Sequence, residues 1–138
     1  MKNFENMNEN LSIGQMEKLF IEGTTSTPSI ECHEDGKICI SGRSLPENPL
    51  DFYQPLMEWS KNYNADKAII DIKLEYFNTS TSKVILDLLR VFEEKPQKSS
   101  ISVNWHYEEG DDDNYESGQM YQEEVTGINF QFIEYPEI

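Results

Sequence analysis

Positive charge is what this sequence has least of: 11 Lys and Arg residues stand against 26 Asp and Glu, a formal net charge of −15 in 138 residues. That balance excludes a nucleic-acid binder, because such proteins hold phosphates with lysine and arginine. It also disfavours docking on anionic membranes. No run approaches the roughly 18 apolar residues of a membrane span, and Met1-Lys2-Asn3-Phe4-Glu5-Asn6 has no apolar leader pattern. A cytoplasmic protein is therefore expected. Cysteine is scarce too. Cys32 and Cys39 flank the expected hairpin turn Glu34-Asp35-Gly36-Lys37, and without a secretory context they are expected to be free thiols.

Catalytic machinery is equally thin. There is no glycine-rich nucleotide loop, and His33 and His106 stand apart from any Cys or His cluster. Ser80-Thr81-Ser82-Lys83 formally matches the Ser-x-x-Lys of penicillin-recognising acyl enzymes, but Ser-Asp-Asn and Lys-Thr-Gly are both missing. The acidic run Glu108 to Asp113 fails the EF-hand pattern: counted from Asp111, the fifth residue is Tyr115 and the sixth is Glu116, where glycine is required. No cofactor or metal is expected, and regulated binding moves ahead of catalysis.

What is present is organised. Residues 1–17 are polar and Asn-rich and are expected to form a tail; residues 18–138 are expected to form one α/β domain. Leu19-Phe20-Ile21 opens the ordered part. Ser29–His33 and Lys37–Gly42 alternate polar and apolar residues around Asp35-Gly36 and predict an N-terminal hairpin. A helix is expected over Leu50–Tyr63, with Phe52, Leu56, Trp59 and Tyr63 on one stripe and Pro55 in conflict with it. Ala68–Ile72 reads as a buried strand, and Val84, Ile85, Leu88, Leu89 and Phe92 as the inner stripe of the next helix. Ser100–Tyr107 reads as an alternating strand, Asn114–Val125 as a third helix and Ile128–Ile133 as the last strand. Helical crossovers between strands imply a partly parallel, mixed sheet with helices packed on it.

Between that buried strand and the second helix lies Tyr76-Phe77-Asn78-Thr79-Ser80-Thr81-Ser82-Lys83, four hydroxyl residues and a lysine. A helix start offers unpaired N–H groups at the positive end of the dipole. One hydroxyl or amide suffices as a cap; a run of four, followed by a cation in the first turn, suits a place where an anion is sometimes carried.

Four separated segments, in order, resemble the SiaC-type bacterial regulatory phosphoproteins. They are Ile21–Ile30 (IEGTTSTPSI), Gly42–Asn48 (GRSLPEN), Tyr76–Lys83 (YFNTSTSK), and Val103–Asp112 (VNWHYEEGDD) with Glu116-Ser117-Gly118 behind it. The resemblance covers the chain from about Leu19 onward. It implies a fold related to the STAS domains of anti-anti-sigma factors and a partner-switching role. In that role a Ser/Thr kinase phosphorylates the protein, a metal-dependent PP2C-type phosphatase reverses this, and the unphosphorylated form binds an effector such as a diguanylate cyclase. The family's acceptor falls on Thr79, with Ser80 as the rival. Asn78, Ser80 and Lys83 are expected to support a phosphate in the turn. The docking surface is expected on the outer side of the helix from Thr81 to Arg90, with Thr81, Ser82, Asp87 and Arg90 contributing. His106 departs from the aromatic residue the resemblance leads one to expect. Two alternatives stay open: a passive binding module whose hydroxyl turn only caps a helix, and an acyl hydrolase using Ser80 and Lys83.

Overall fold

The computed structural model describes residues 17–64, 66–96 and 100–137. The expected tail, residues 1–17, therefore lies outside the described residues except for Glu17, whose carbonyl accepts a hydrogen bond from Trp59 Nε1 at 2.7 Å. The described residues form six strands and three helices. These are β1 (Leu19–Ile21), β2 (Ser29–Cys32), β3 (Lys37–Ser44), α1 (Pro49–Asn62), β4 (Lys67–Phe77), α2 (Thr79–Glu93), β5 (Ser100–Glu108), α3 (Asp112–Glu124) and β6 (Ile128–Tyr135). The strands form one mixed sheet in sequential order, β1 to β6. β1, β2 and β3 are antiparallel neighbours; β3, β4, β5 and β6 run parallel.

Each parallel step advances in the same direction across the sheet, and right-handed crossovers therefore bring α1, α2 and α3 to one face. Burial follows the pleat. Ile38 and Ile40, Ile70, Ile72 and Leu74, and Ile101, Val103 and Trp105 all point under the helices and are buried. Their alternate neighbours form an open polar face. There Asp71 Oδ1 accepts from Asn104 Nδ2 at 3.0 Å and lies 3.0 Å from His106 Nε2; among the described residues no three His, Cys, Asp or Glu groups are placed to hold a metal. Cys32 and Cys39 fall on opposite faces, since Glu31 pairs with Cys39 and Cys32 with Ile38. Both are free, and burial pushes the Cys32 thiol up to about 12.

The hairpin turn needs its glycine. Gly36 has φ 93°, and a Cβ there would lie 2.3 Å from both the Lys67 carbonyl and the Tyr63 hydroxyl. α1 begins as expected, with Asn48 capping and Pro49 in the first turn. Leu56, Trp59 and Tyr63 are buried as expected, and Tyr53 takes the first inner place instead of Phe52, which is only half-buried. Pro55 does not interrupt the helix. It lies on the exposed side, where the carbonyl it fails to bond can be hydrated. In α2 all five expected stripe residues are buried. Among the described residues no helix is long and apolar enough to cross a membrane.

Candidate functional site

The site grows out of the end of β4. Asn78 leaves the strand in an extended conformation (φ −92°, ψ 177°) and its side chain accepts from Thr81 N–H at 2.9 Å, capping α2. Thr79 and Ser80 follow as the first helical residues, both exposed. Their N–H groups belong to the first turn, which has no intrahelical acceptors.

The next two hydroxyls turn inward. Thr81 is fully buried. Its hydroxyl donates to the Ser44 carbonyl at 3.2 Å and lies 2.9 Å from Ser44 Oγ, which is 2.7 Å from the Tyr53 hydroxyl. Thr81 has one hydroxyl proton and gives it to the carbonyl, so Ser44 must donate to Thr81 and Tyr53 to Ser44. A single chain of donors thus ties α1 and the end of β3 to the first turn of α2. Burial raises the Tyr53 phenol to about 12. Ser82 makes the matching tie to α3. Its Oγ lies 2.9 Å from the Tyr121 hydroxyl, which donates to the Ser82 carbonyl at 2.9 Å. Burial raises the Tyr121 pKa as well.

These ties correct the expected docking surface. Thr81 is withdrawn into the core because Ser44 and Tyr53 claim its hydroxyl, so it cannot meet a partner. Ser82 is half-buried against Tyr121. Arg90 is engaged within the chain: its guanidinium donates to Glu93 at 3.1 Å and to the Glu124 carbonyl and carboxylate at 2.8 and 3.0 Å. Glu93 is in turn held below the usual carboxylate range, first by the Thr126 N–H and then by Arg90. Asp87 is half-buried, and Lys83 is exposed. Ser80 and Lys83 are both exposed, and no hydrogen bond joins them among the described residues.

Sequence reasoning missed the other wall of the site. β4 and β5 are parallel neighbours, so the turns at their carboxyl ends lie side by side. A cleft opens between them, lined by Glu75, Asn78, Thr79, Asp111, Asp113 and Asn114, among others. Asp111 caps α3 by accepting from Asn114 N–H at 3.0 Å. α3 sits close to the sheet because Gly118 presents no side chain; a Cβ there would come within 2.6 Å of Trp105 and 2.7 Å of Phe132. The cleft has no lysine or arginine in its lining, and Lys83 is not part of it. The signal that could have revealed it was the parallel pairing itself, which brings residues 111–114 beside the hydroxyl turn.

Comparison with known proteins decides the family. A model of the SiaC family of regulatory phosphoproteins matches residues 21–135. The chain belongs to the SiaC family. It is 32% identical over 116 residues to an uncharacterized protein of Pseudomonas aeruginosa (strain UCBPP-PA14), a match covering 80% of this chain and 92% of that protein. The crystal structure of apo-SiaC from Pseudomonas aeruginosa superposes with a TM-score of 0.78 at 30% identity, covering 86% of this chain and 99% of that one. SiaC in the crystal structure of the diguanylate cyclase SiaD with its activator SiaC, from the same organism, gives a TM-score of 0.78 at 30% identity, covering 85% of this chain and 99% of that one. The mixed α/β domain read from the sequence is thus the fold of this family.

Proposed function

We propose that this SiaC-family chain is a partner switch, not an enzyme, set by reversible phosphorylation of Thr79. A Ser/Thr kinase adds the phosphate, a PP2C-type phosphatase removes it, and the unphosphorylated form binds and controls an effector of the diguanylate cyclase class. The observation that carries this reading is the exposure of Thr79, the first residue of a helix whose first turn is anchored from within by Thr81 and Ser82. That exposure is what a modifying enzyme in solution requires of the residue it acts on. Family membership and the solved complex of a relative with a diguanylate cyclase support the effector class.

A phosphate adds roughly −1.5 to −2 charges and three acceptor oxygens. At Thr79 it meets a cleft already lined by Glu75, Asp111 and Asp113, with no basic side chain in that lining. The phosphate therefore stays at the surface, where it fills the volume a partner needs if it is shaped to a hydroxyl. The docking surface consists of the Thr79-Ser80 turn and the outer side of α2 past Lys83 and Asp87. Losing roughly 3 kcal/mol of such an interface weakens binding about 100-fold. The test is calorimetric titration of a diguanylate cyclase with the unmodified and Thr79-phosphorylated chains. Tight binding of the first and a loss of about 100-fold in the second are expected; equal affinities would refute the switch. Thr79→Asp should weaken binding in the same direction, by less, because a carboxylate carries one charge and two oxygens.

A further inference from the structure

The two edges of the sheet are finished differently. β1 is three residues long and lies between Lys18 and Glu22, a short edge with charged neighbours, of the kind that resists pairing. β6 runs for eight residues in unbroken parallel register with β5, and no strand lies beyond it among the described residues. Its first six residues, Ile128-Asn129-Phe130-Gln131-Phe132-Ile133, contain no charge and no proline. A row of backbone N–H and C=O groups therefore faces outward without the lysine, proline or bulge that usually protects an edge. Beside it Ile133 is 37% exposed.

Charge placement says what fits there. Residues 99–138 hold ten Asp and Glu and no Lys or Arg, yet the edge itself is neutral. So is the stripe of α3 nearest to it. Tyr115 lies over β6 with its ring 5.1 Å from Phe132, and Gln119 and Gln122 follow at i+4 and i+7. A basic partner would be met by carboxylates; a strip without them, on so acidic a chain, fits a partner equally acidic. A second copy of this chain is such a partner, and the strand is self-complementary. Antiparallel pairing about a two-fold axis at Phe130 sets Asn129 opposite the second copy's Gln131 on the open face. On the helix face it sets Ile128 opposite that copy's Phe132, so amide meets amide and apolar meets apolar. α3 rests over both β5 and β6, with Gly118 against Trp105 and Phe132. Its distance from the axis is about one strand spacing, so the two α3 helices would lie about 10 Å apart, where helices pack. We propose that β6 is a homodimer edge, through which two copies join their six-stranded sheets into one continuous sheet. The Thr79 turns then stand at opposite ends of that sheet, both open, so the pairing does not depend on which hydroxyl is modified.

The test is sedimentation equilibrium of the full chain from about 2 to 200 μM. A monomer–dimer equilibrium with a dissociation constant on the order of 10 μM is expected. It should tighten about three-fold or more between about 0.05 and 0.5 M salt, as repulsion between two acidic copies is screened. Asn129→Lys/Gln131→Lys changes two exposed positions, sets lysine against lysine and should weaken the dimer about ten-fold or more. Asn129→Lys/Gln131→Glu sets lysine against glutamate in this register alone and should return the affinity to within about three-fold of the parent. That variant also shows that the edge tolerates charge without unfolding. Amide exchange in β6 should slow about three-fold or more from the lowest concentration to the highest, as outward N–H groups gain partners. A monomer at every concentration, association that weakens with salt, a double-lysine variant that pairs like the parent, a lysine–glutamate variant that stays apart, or a dimer with unchanged β6 exchange would each overturn the proposal.

Discussion

Thr79 and Ser80 differ from Thr81 and Ser82 in nothing the sequence makes visible: four small hydroxyl residues follow one another at a helix start. The fold treats the two pairs oppositely. The outer pair is exposed, and the inner pair is bonded to Ser44 and Tyr121, residues 37 and 39 positions away. The contrast teaches how a modifiable turn can be both accessible and stiff. The inner hydroxyls hold the first turn of α2 against β3, α1 and α3, so the outer hydroxyls are presented in a fixed place. A phosphate added to the outer pair changes what the surface offers and leaves the anchors untouched.

The largest effect that separates the pairs is Thr79→Ala. It should abolish incorporation of the single phosphate by a cognate kinase, read by intact mass, while the unfolding midpoint stays within about 0.5 kcal/mol of the parent. Next in size is the alkaline limit. The folded chain holds the Tyr53 proton up to about 12, whereas an unfolded tyrosine releases it near 10. Tyr53 therefore contributes its full share of stability below about pH 10, and that share, roughly 2–3 kcal/mol, is lost as pH rises from about 10 through 12. The buried Cys32 thiol, also held up to about 12, adds a loss that begins nearer its ordinary value of 9.0. Urea melts across that range should show the decline, and Tyr53→Phe should remove the Tyr53 share of it, leaving that of Cys32. Thr81→Val comes third. It removes the link between Ser44 and α2 and should cost about 1–2 kcal/mol in urea unfolding. It should also slow phosphorylation of Thr79, because the turn is no longer held. Tyr121→Phe removes the outer tie to Ser82 and should cost about 1 kcal/mol. Ser80→Ala should do least, within about 0.5 kcal/mol, with phosphate still incorporated. A Ser80→Ala variant that cannot be phosphorylated would exchange the roles of the two exposed hydroxyls.

The strands were legible because one sheet face is covered and the other is open, so burial alternates along β2, β3 and β5 as polarity does. α2 was legible because its inner stripe is purely aliphatic and aromatic, from Val84 to Phe92. In α1 the stripe Leu56, Trp59 and Tyr63 was legible and only its first member differs, since Phe52 and Tyr53 are adjacent aromatics and tertiary contact, through Ser44, selects Tyr53. The helix survived Pro55 because that residue faces water. Within the turn, the division between exposed and buried hydroxyls was illegible, since it depends on a partner 37 residues earlier. The acidic residues 111–113 read as a solvated loop. Their place beside Thr79 follows from the parallel pairing of β4 and β5, which a single sequence does not state.

The claim that matters most is that Thr79 is the hydroxyl chosen for modification. Tandem mass spectrometry of the chain isolated from its native cells, before and after treatment with a PP2C-type phosphatase, tests it most directly. One phosphate on Thr79, removed by the phosphatase, is expected. A phosphate confined to Ser80, or none under any growth condition, would contradict it.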